Sequence, residues 1–471
     1  MNDAAFSGAD LAFLPALEVA KLFARKQLSP VEYAEALIAR TEKLEPRLAC
    51  YVRFTPEIWR AMARAAETEI MAGIGRGPLH GLPVGVKDII DVAGITTTCH
   101  SKILRDAPPA TTDALVWRRL KAGGAALAGK TSTHEFALGG PSFDLPWPPS
   151  RNPWNPDHHP GGSSSGSGAA LAAGMLPLAL GTDTGGSVRN PATMCGIVGL
   201  KPSYGLVSRG GVFPLAFSLD HVGPMTRNVE DNAALLRAIA GHDATDPASV
   251  LRGHEDYSRE LRAGVKGLRI AYVPRFHRTD HVADPHVAAA LDRAARRLEA
   301  EGAIVEEADL PPLAEFASIN RVIICGEGYA IHEAWLRERP EDYAESTRRR
   351  LLPGAFLGAA DYIQAQRRRR QLTDAVSALL ATHDAILCAS SMDTPAPIAD
   401  VAEIERTYPR QSRTPFNVTG HPALCLGVDL HPNGLPLAAQ LVAGAFREAR
   451  LYRIAWTLEQ AAGFVGRRPP L

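Results

Sequence analysis

Two segments of the chain combine glycine and serine in a pattern that suits acyl-transfer chemistry. Residues 161–168 read GGSSSGSG, and residues 181–189 read GTDTGGSVR. Glycines let several backbone N–H groups converge, and converging N–H groups stabilise the negative charge of an oxyanion. A serine beside such donors is a candidate nucleophile if a base can accept its proton. Ser187, directly after the glycine pair of the second segment, is one such candidate.

A candidate base stands at the end of a short apolar run, residues 82–87 (LPVGVK), which predicts a buried strand ending in Lys87. A lysine accepts a proton only in its neutral form, and burial favours that form because it disfavours the ammonium ion. A serine hydroxyl could carry the proton between the two groups, since a hydroxyl both donates and accepts hydrogen bonds. Taken alone, a lysine is most often a surface residue, so this role depends on the surrounding motifs.

Two further motifs indicate other chemistry. Residues 162–166 (GSSSG) match the nucleophile elbow G-x-S-x-G, but that turn follows a buried strand, and residues 155–160 (NPDHHP) cannot form one. Residues 124–131 (GAALAGKT) match the Walker A pattern, yet a predicted helix precedes them and their apolar middle favours a strand. A nucleotide-binding protein that uses residues 124–131 is therefore a weaker alternative from a different class.

The charge balance argues against nucleic acid and membranes as partners. Lys plus Arg and Asp plus Glu each number 51 among 471 residues, so the formal net charge is zero. No apolar run is long enough to span a bilayer, and residues 1–10 lack the basic and apolar regions of a signal peptide.

The six cysteines are scattered without a CxxC pair, which predicts reduced thiols, no metal site and a cytoplasmic location.

Strand and helix signals alternate through most of the chain, which predicts an α/β architecture. Ser29, Pro30 and Glu32 form a capping-box pattern that begins a helix, and Pro46 is expected to end it. Residues 139–168, dense in Gly, Pro, Ser and Trp, predict a long functional loop. Further helices are predicted at residues 56–73, 113–121, 169–174, 285–302, 359–381 and 448–462, and further strands at residues 125–128, 384–389 and 423–428.

Taken together, these segments resemble the amidase signature family over nearly the whole chain. Residues 129–136 (GKTSTHEF) are similar to the family's GKT-N-x-x-EF pattern, which accounts for the Walker A match. The other matching segments are residues 81–88 (GLPVGVKD), 161–168, 181–189, 199–205 (GLKPSYG), 218–227 (SLDHVGPMTR), 417–422 (NVTGHP) and 434–441 (GLPLAAQL). Ser132 stands where many members have Asn and Ser165 where many have Gly, so hydrogen bonding in the loop is expected to differ.

The resemblance implies one α/β domain, residues 1–471, with helices around a central mixed sheet, the amidase signature fold. A variable region at about residues 311–413 would shape the substrate site. The resemblance also implies a Ser-cis-Ser-Lys triad, in which Ser187 is the nucleophile, Lys87 the base and Ser163 the bridging serine held by a cis peptide bond. The resemblance also implies that the backbone N–H groups near Thr184, Gly185, Gly186 and Ser187 form the oxyanion hole, and Asp183 and Arg189 match the family's supporting polar pair.

The expected activity is hydrolysis of a small or medium carboxamide to a carboxylate plus ammonia or an amine, through an acyl-enzyme on Ser187. Neither cofactor nor metal is expected. A small-molecule amide is the expected partner, an ester could react by the same route, and the chain could form a homodimer. The same family contains the glutaminase subunit of a tRNA-dependent amidotransferase, which is the main alternative.

One segment bears on that alternative. The glutamine-using members carry an Asp shortly before their C-terminal Asn-Leu-Ala-Gly segment. The corresponding residues 408–417 (YPRQSRTPFN) contain no acidic residue, so the α-ammonium group of glutamine would meet Arg410 and Arg413. We therefore expect a free-standing amidase that ignores free glutamine.

Overall fold

A mixed β-sheet forms the centre of the computed structural model, which describes residues 11–253 and 255–471. Its strands are β1 (Tyr51–Phe54), β2 (Pro83–Lys87), β3 (Ala126–Thr131), β4 (Leu178–Asp183), β5 (Val198–Lys201), β6 (His221–Thr226), β7 (Arg269–Tyr272), β8 (Ile304–Glu307), β9 (Ala385–Cys388), β10 (Ala423–Leu430) and β11 (Pro436–Val442). They form an eleven-stranded sheet in the order β1-β3-β2-β4-β6-β5-β10-β11-β9-β7-β8. β2 is parallel to β3 and β4, and β7 is parallel to β8 and β9, whereas the other neighbours are antiparallel.

Helices pack against this sheet and against one another, so the predicted mixed α/β fold is confirmed. The α-helices are α1 (Ala16–Ala24), α2 (Pro30–Leu48), α3 (Pro56–Met71), α4 (Leu115–Ala122), α5 (Ser165–Ala172), α6 (Arg189–Cys195), α7 (Val229–Ile239), α8 (Pro285–Ala300), α9 (Leu313–Glu338), α10 (Glu345–Leu351), α11 (Ala359–Thr382), α12 (Val401–Thr407), α13 (Thr414–Val418) and α14 (Glu448–Ala462). Short 3-10 or π turns lie at Glu135–Ala137, Phe276–Asp280, Pro340–Asp342 and Leu352–Phe356.

The helix α2 begins as predicted but ends later. The Ser29 hydroxyl accepts hydrogen bonds from the N–H groups of Val31 and Glu32, and the Glu32 carboxylate accepts the Ser29 N–H. Pro46 lies inside the helix, which continues to Leu48, so the prediction that Pro46 ends it is wrong. A proline removes one backbone N–H from the last turn, and the burial of Leu48 offsets that loss.

The segment that matched Walker A is part of a strand. β3 continues through Gly129, Lys130 and Thr131, and all of its residues are buried. The Lys130 Nζ atom lies 2.9 Å from the carboxylate of Asp88, and both side chains are fully buried. A P-loop leaves its strand before the lysine and begins a helix there, so residues 124–131 do not form one.

The helix α5 starts inside the segment that was predicted to be a loop. It spans Ser165–Ala172 rather than residues 169–174, and every residue in it is buried. A side chain at Gly166 would lie 2.1 Å from the Cys50 carbonyl oxygen, so glycine lets this helix lie close to the backbone at Cys50. Ser163 consequently lies two residues before the start of a buried helix.

Within residues 11–253 and 255–471, no helix is both long enough and apolar enough to cross a membrane. The six cysteines are buried and unpaired, as the scattered spacing predicted. The prediction that residues 1–10 contain no signal peptide falls outside the described residues.

Candidate active site

Lys87 ends β2, between β3 and β4, and its side chain is fully buried. Its Nζ atom donates hydrogen bonds to the Ser163 hydroxyl at 2.8 Å and to the Thr182 hydroxyl at 2.7 Å. Burial lowers the pKa of Lys87 to about 7, although the negative charges of Asp183 and Asp220 oppose that shift. A neutral lysine in contact with a serine hydroxyl can accept a proton from it.

Ser163 is held by its backbone on both sides. The Gly162–Ser163 peptide bond is cis. The Ser163 carbonyl accepts the N–H of His134 at 3.0 Å, and the Gly162 carbonyl accepts the hydroxyl of Tyr408 at 3.2 Å. A side chain at Gly162 would lie 2.1 Å from the His134 ring, so only glycine fits there. These contacts fix the position of the Ser163 hydroxyl relative to Lys87.

Ser187 lies in the loop between β4 and α6, and its side chain is half-buried. Its carbonyl accepts the N–H of Ser164 at 3.2 Å, which brings the two glycine- and serine-rich segments together. Among the described residues, none forms a hydrogen bond with the Ser187 hydroxyl. The contact between Ser187 and Ser163 that a proton relay requires is therefore not made in this structure. Catalytic hydrogen bonds often tighten only when substrate binds.

The proposed oxyanion hole is smaller than the sequence predicted. The Gly186 N–H donates to the Asp183 carboxylate at 2.8 Å, so it is not available to a substrate. The N–H groups of Thr184, Gly185 and Ser187 have no acceptor within the described part of the chain. These three groups are the backbone donors that an oxyanion could use.

Asp183 and Arg189 form a buried ion pair beneath the loop. The Arg189 Nη2 and Nε atoms lie 2.9 and 3.0 Å from the Asp183 carboxylate, and both side chains are fully buried. Burial alone would raise the pKa of Asp183, but Arg189 and the hydrogen bond from Asn417 outweigh that effect and lower it. Asp183 also accepts the N–H groups of Gly186 and Val188. The pair therefore holds the backbone on both sides of Ser187.

Several residues of the site carried no sequence signal that identified their role. Thr182 lies in the same GTDTGGS segment as the nucleophile, but its contact with Lys87 depends on the pairing of β2 with β4. Asn417 and Gln440 lie in the matched C-terminal segments, and both accept a hydrogen bond from Arg189.

Ser132 and Ser165, the two departures from the family pattern, lie close together. The Ser165 hydroxyl donates to the Ser132 carbonyl at 3.5 Å, and the Ser132 hydroxyl donates to the Ala49 carbonyl at 3.1 Å. Both serines are buried beside the loop that carries Ser163. Both hydroxyl groups thus take part in the hydrogen bonding around the loop, and the contact between Lys87 and Ser163 is made beside them.

Comparison with known proteins identifies the family to which the chain belongs. The model of the Amidase family matches residues 32–452. The chain is 35% identical to the A subunit of the glutamyl-tRNA(Gln) amidotransferase of Halothermothrix orenii, over 96% of this chain and 98% of that protein. The chain therefore belongs to the amidase family, and it is an amide-hydrolysing enzyme.

Solved structures share this fold. A structure described as a vestigial protein complex that reveals the evolutionary origins of an s-triazine catabolic enzyme matches with 32% identity and a TM-score of 0.90, over 97% of this chain and 100% of that chain. The peptide amidase of Stenotrophomonas maltophilia matches with 30% identity and a TM-score of 0.84, over 99% of each chain. The predicted amidase signature fold is confirmed.

We predict that kcat/KM for amide or ester hydrolysis rises with pH and levels off above an apparent pKa of about 7. The reason is that Lys87 can accept a proton only when neutral, so the rate should fall about tenfold per pH unit below that value. Initial rates with an activated ester between pH 5 and pH 10 measure this profile.

The variant Lys87→Ala is the control for that profile, and it should lose several orders of magnitude in rate. A wild-type rate that rises only above pH 9, or a variant that keeps nearly normal rates, would exclude Lys87 as the base.

Proposed function

We propose that the chain hydrolyses a carboxamide through an acyl-enzyme on Ser187, with Lys87 as the base and Ser163 as the proton relay. The observation that carries this proposal is the 2.8 Å hydrogen bond from Lys87 to Ser163, whose side chains are both buried. The lowered pKa of Lys87, about 7, makes its neutral form available near neutral pH.

The chemistry follows from these positions. Lys87 takes the proton of Ser163, and Ser163 takes that of Ser187 as the Ser187 oxygen attacks the amide carbon. The free N–H groups of the loop stabilise the oxyanion that forms. The relay then returns the proton to the leaving nitrogen, so ammonia or an amine departs and the acyl group stays on Ser187. Water attacks the acyl-enzyme by the same route and releases the carboxylate.

We predict that Ser187→Ala abolishes turnover while the protein stays folded. Ser187 supplies the attacking oxygen, and its half-buried side chain leaves room for alanine. A fluorophosphonate probe should add its mass to the wild-type peptide that contains Ser187, as measured by mass spectrometry. The matched control is Ser164→Ala, in the other glycine- and serine-rich segment, which should still be labelled. An adduct on Ser164 would instead support the nucleophile elbow.

Two physiological roles of this chemistry have support. The first is that of the glutamine-hydrolysing subunit of an amidotransferase. It is supported by the 35% identity to the A subunit of a glutamyl-tRNA(Gln) amidotransferase along nearly the full length of both proteins. This relative favours the subunit role over the free-standing amidase that the sequence predicted. In the subunit role the chain would act within an assembly whose substrate is linked to tRNA, unlike the small-molecule partner that was expected.

The second role is hydrolysis of a neutral amide by the chain alone, and the chemistry beside the loop favours it. A cavity of about 340 Å³ adjoins Thr182 and Thr184. Its lining is largely apolar and includes Ile89, Ala137, Val212, Phe213, Leu215 and Val222. The ionic groups in its wall are already satisfied, because Arg209 pairs with Asp246 at 2.7 Å and Asp220 accepts three hydrogen-bond donors.

The arginines of residues 408–417 do not offer a site for the ammonium group of glutamine. Arg410 pairs with Asp393 at 2.7 Å. Arg413 is 2% exposed and donates to the Ser390 carbonyl at 2.9 Å. A buried cation repels an ammonium group, so these residues favour a neutral amide.

We predict that the purified chain releases ammonia from a neutral carboxamide and not from glutamine. The apolar cavity offers no free carboxylate for the α-ammonium group of glutamine. Ammonia release should be measured with a panel of aliphatic and aromatic amides and with glutamine, with and without candidate partner subunits and charged tRNA; Ser187→Ala provides the blank. Glutaminase activity that appears only with those partners would establish the subunit role instead.

A further inference from the structure

The helix α9, in the predicted variable region, reaches the loop that carries Ser187. Its residue Asn320 is 8% exposed. The Asn320 Nδ2 atom donates a hydrogen bond to the Thr184 carbonyl at 3.2 Å. Asn320 belongs to the buried face of α9, between Phe316 and Ile323, where an apolar side chain would otherwise be expected. A buried polar residue at such a position needs a partner, and its partner is the nucleophile loop.

The hydrogen bond from Asn320 acts on the peptide between Thr184 and Gly185. The N–H group of Gly185 is one of the free donors for an oxyanion. The Thr184 carbonyl and the Gly185 N–H belong to one trans peptide, so they point in opposite directions. A donor that fixes the carbonyl therefore also fixes the direction of the Gly185 N–H. It also polarises the peptide, which strengthens the N–H as a donor.

Thr184 is also held through its side chain. The Thr184 hydroxyl donates to the Asp220 carboxylate at 2.6 Å. The Asn320 side chain lies directly against the loop, because a Cβ atom built on Gly185 would lie 3.4 Å from its Oδ1 atom. Thr184 is thus anchored through its side chain by Asp220 and through its carbonyl by Asn320, and the rotation of the peptide between Thr184 and Gly185 is restricted.

We propose that Asn320 is a positioning residue that aims the Gly185 N–H at the oxyanion formed on the substrate. The proposal rests on the acyl-enzyme chemistry proposed above and adds a residue from the variable region to it. Asn320 does not touch the reacting atoms; it acts through the Thr184–Gly185 peptide. Its effect should therefore appear when the oxyanion forms and not when the neutral substrate binds.

The test compares two variants: Asn320→Asp, which keeps the size of the side chain, and Asn320→Leu, which keeps the branched shape but is larger. Asp replaces the donor with an acceptor that repels the Thr184 carbonyl, and Leu removes the hydrogen bond. With p-nitrophenyl acetate, kcat/KM per labelled Ser187 should fall about tenfold to hundredfold, which is less than the loss of a direct oxyanion donor. The matched control is Ser318→Ala, on an exposed position of the same helix, which should change nothing.

A second readout separates positioning from damage to the fold. Phenylboronic acid forms a tetrahedral anion on a serine nucleophile and so imitates the oxyanion. Its inhibition constant does not depend on how much of the sample is folded. We expect this constant to rise in both variants by about the same factor as kcat/KM falls, with Asn320→Asp affected more strongly than Asn320→Leu.

The outcomes distinguish this inference from the proposed function. If wild-type turnover depends on Ser187 while boronate inhibition is unchanged in both Asn320 variants, the positioning role is wrong and the acyl-enzyme chemistry stands. A wild-type protein that neither turns over the ester nor reacts with a fluorophosphonate at Ser187 would refute both.

Discussion

The site depends on a lysine that is buried without a carboxylate partner. Lys87 donates only to two hydroxyl groups among the described residues, those of Ser163 and Thr182. Hydroxyl groups solvate an ammonium ion less well than water or a carboxylate does, so burial favours the neutral amine. A base is needed because serine is a poor nucleophile while it keeps its proton. The rest of the site can be understood as keeping this amine neutral and aligned.

Comparison with a second buried lysine of the sheet supports this view. Lys130, on the neighbouring strand, is equally buried but has Asp88 at 2.9 Å, and such a partner stabilises a charge. Asp183 lies near Lys87 and would favour its protonated form. However, the charge of Asp183 is balanced by Arg189 at 2.9 Å. The ion pair under the loop therefore holds the backbone around Ser187 and also limits the negative charge that Lys87 experiences.

The sequence predicted the parts of the structure that depend on local signals. The capping box at Ser29 and the helix at Glu448–Ala462 are local patterns, and both were predicted. Lys87 could be placed at the end of a buried strand because apolar residues and glycines surround it. The continuation of α2 past Pro46 was missed because it depends on the burial of Leu48, a tertiary effect.

The contacts that tune the site could not be predicted in this way. Thr182 reaches Lys87 across 95 residues, and Asn320 reaches Thr184 across 136 residues. The hydrogen bond from the Gly186 N–H to Asp183 joins residues that are close in sequence. However, the glycine pattern does not show which N–H groups already donate to an acceptor within the protein. Such contacts depend on strand pairing and helix packing, which no single motif encodes.

The protonation state of Lys87 tests the account most directly. The chain has nine lysines, so labelling lysine with ¹³C at the ε position gives few resonances, and the spectrum of Lys87→Met identifies the one from Lys87. The account predicts that this resonance titrates with a pKa of about 7 in the folded protein. A Lys87 side chain that stays protonated up to pH 10 would contradict the account, because Lys87 could not then act as the base.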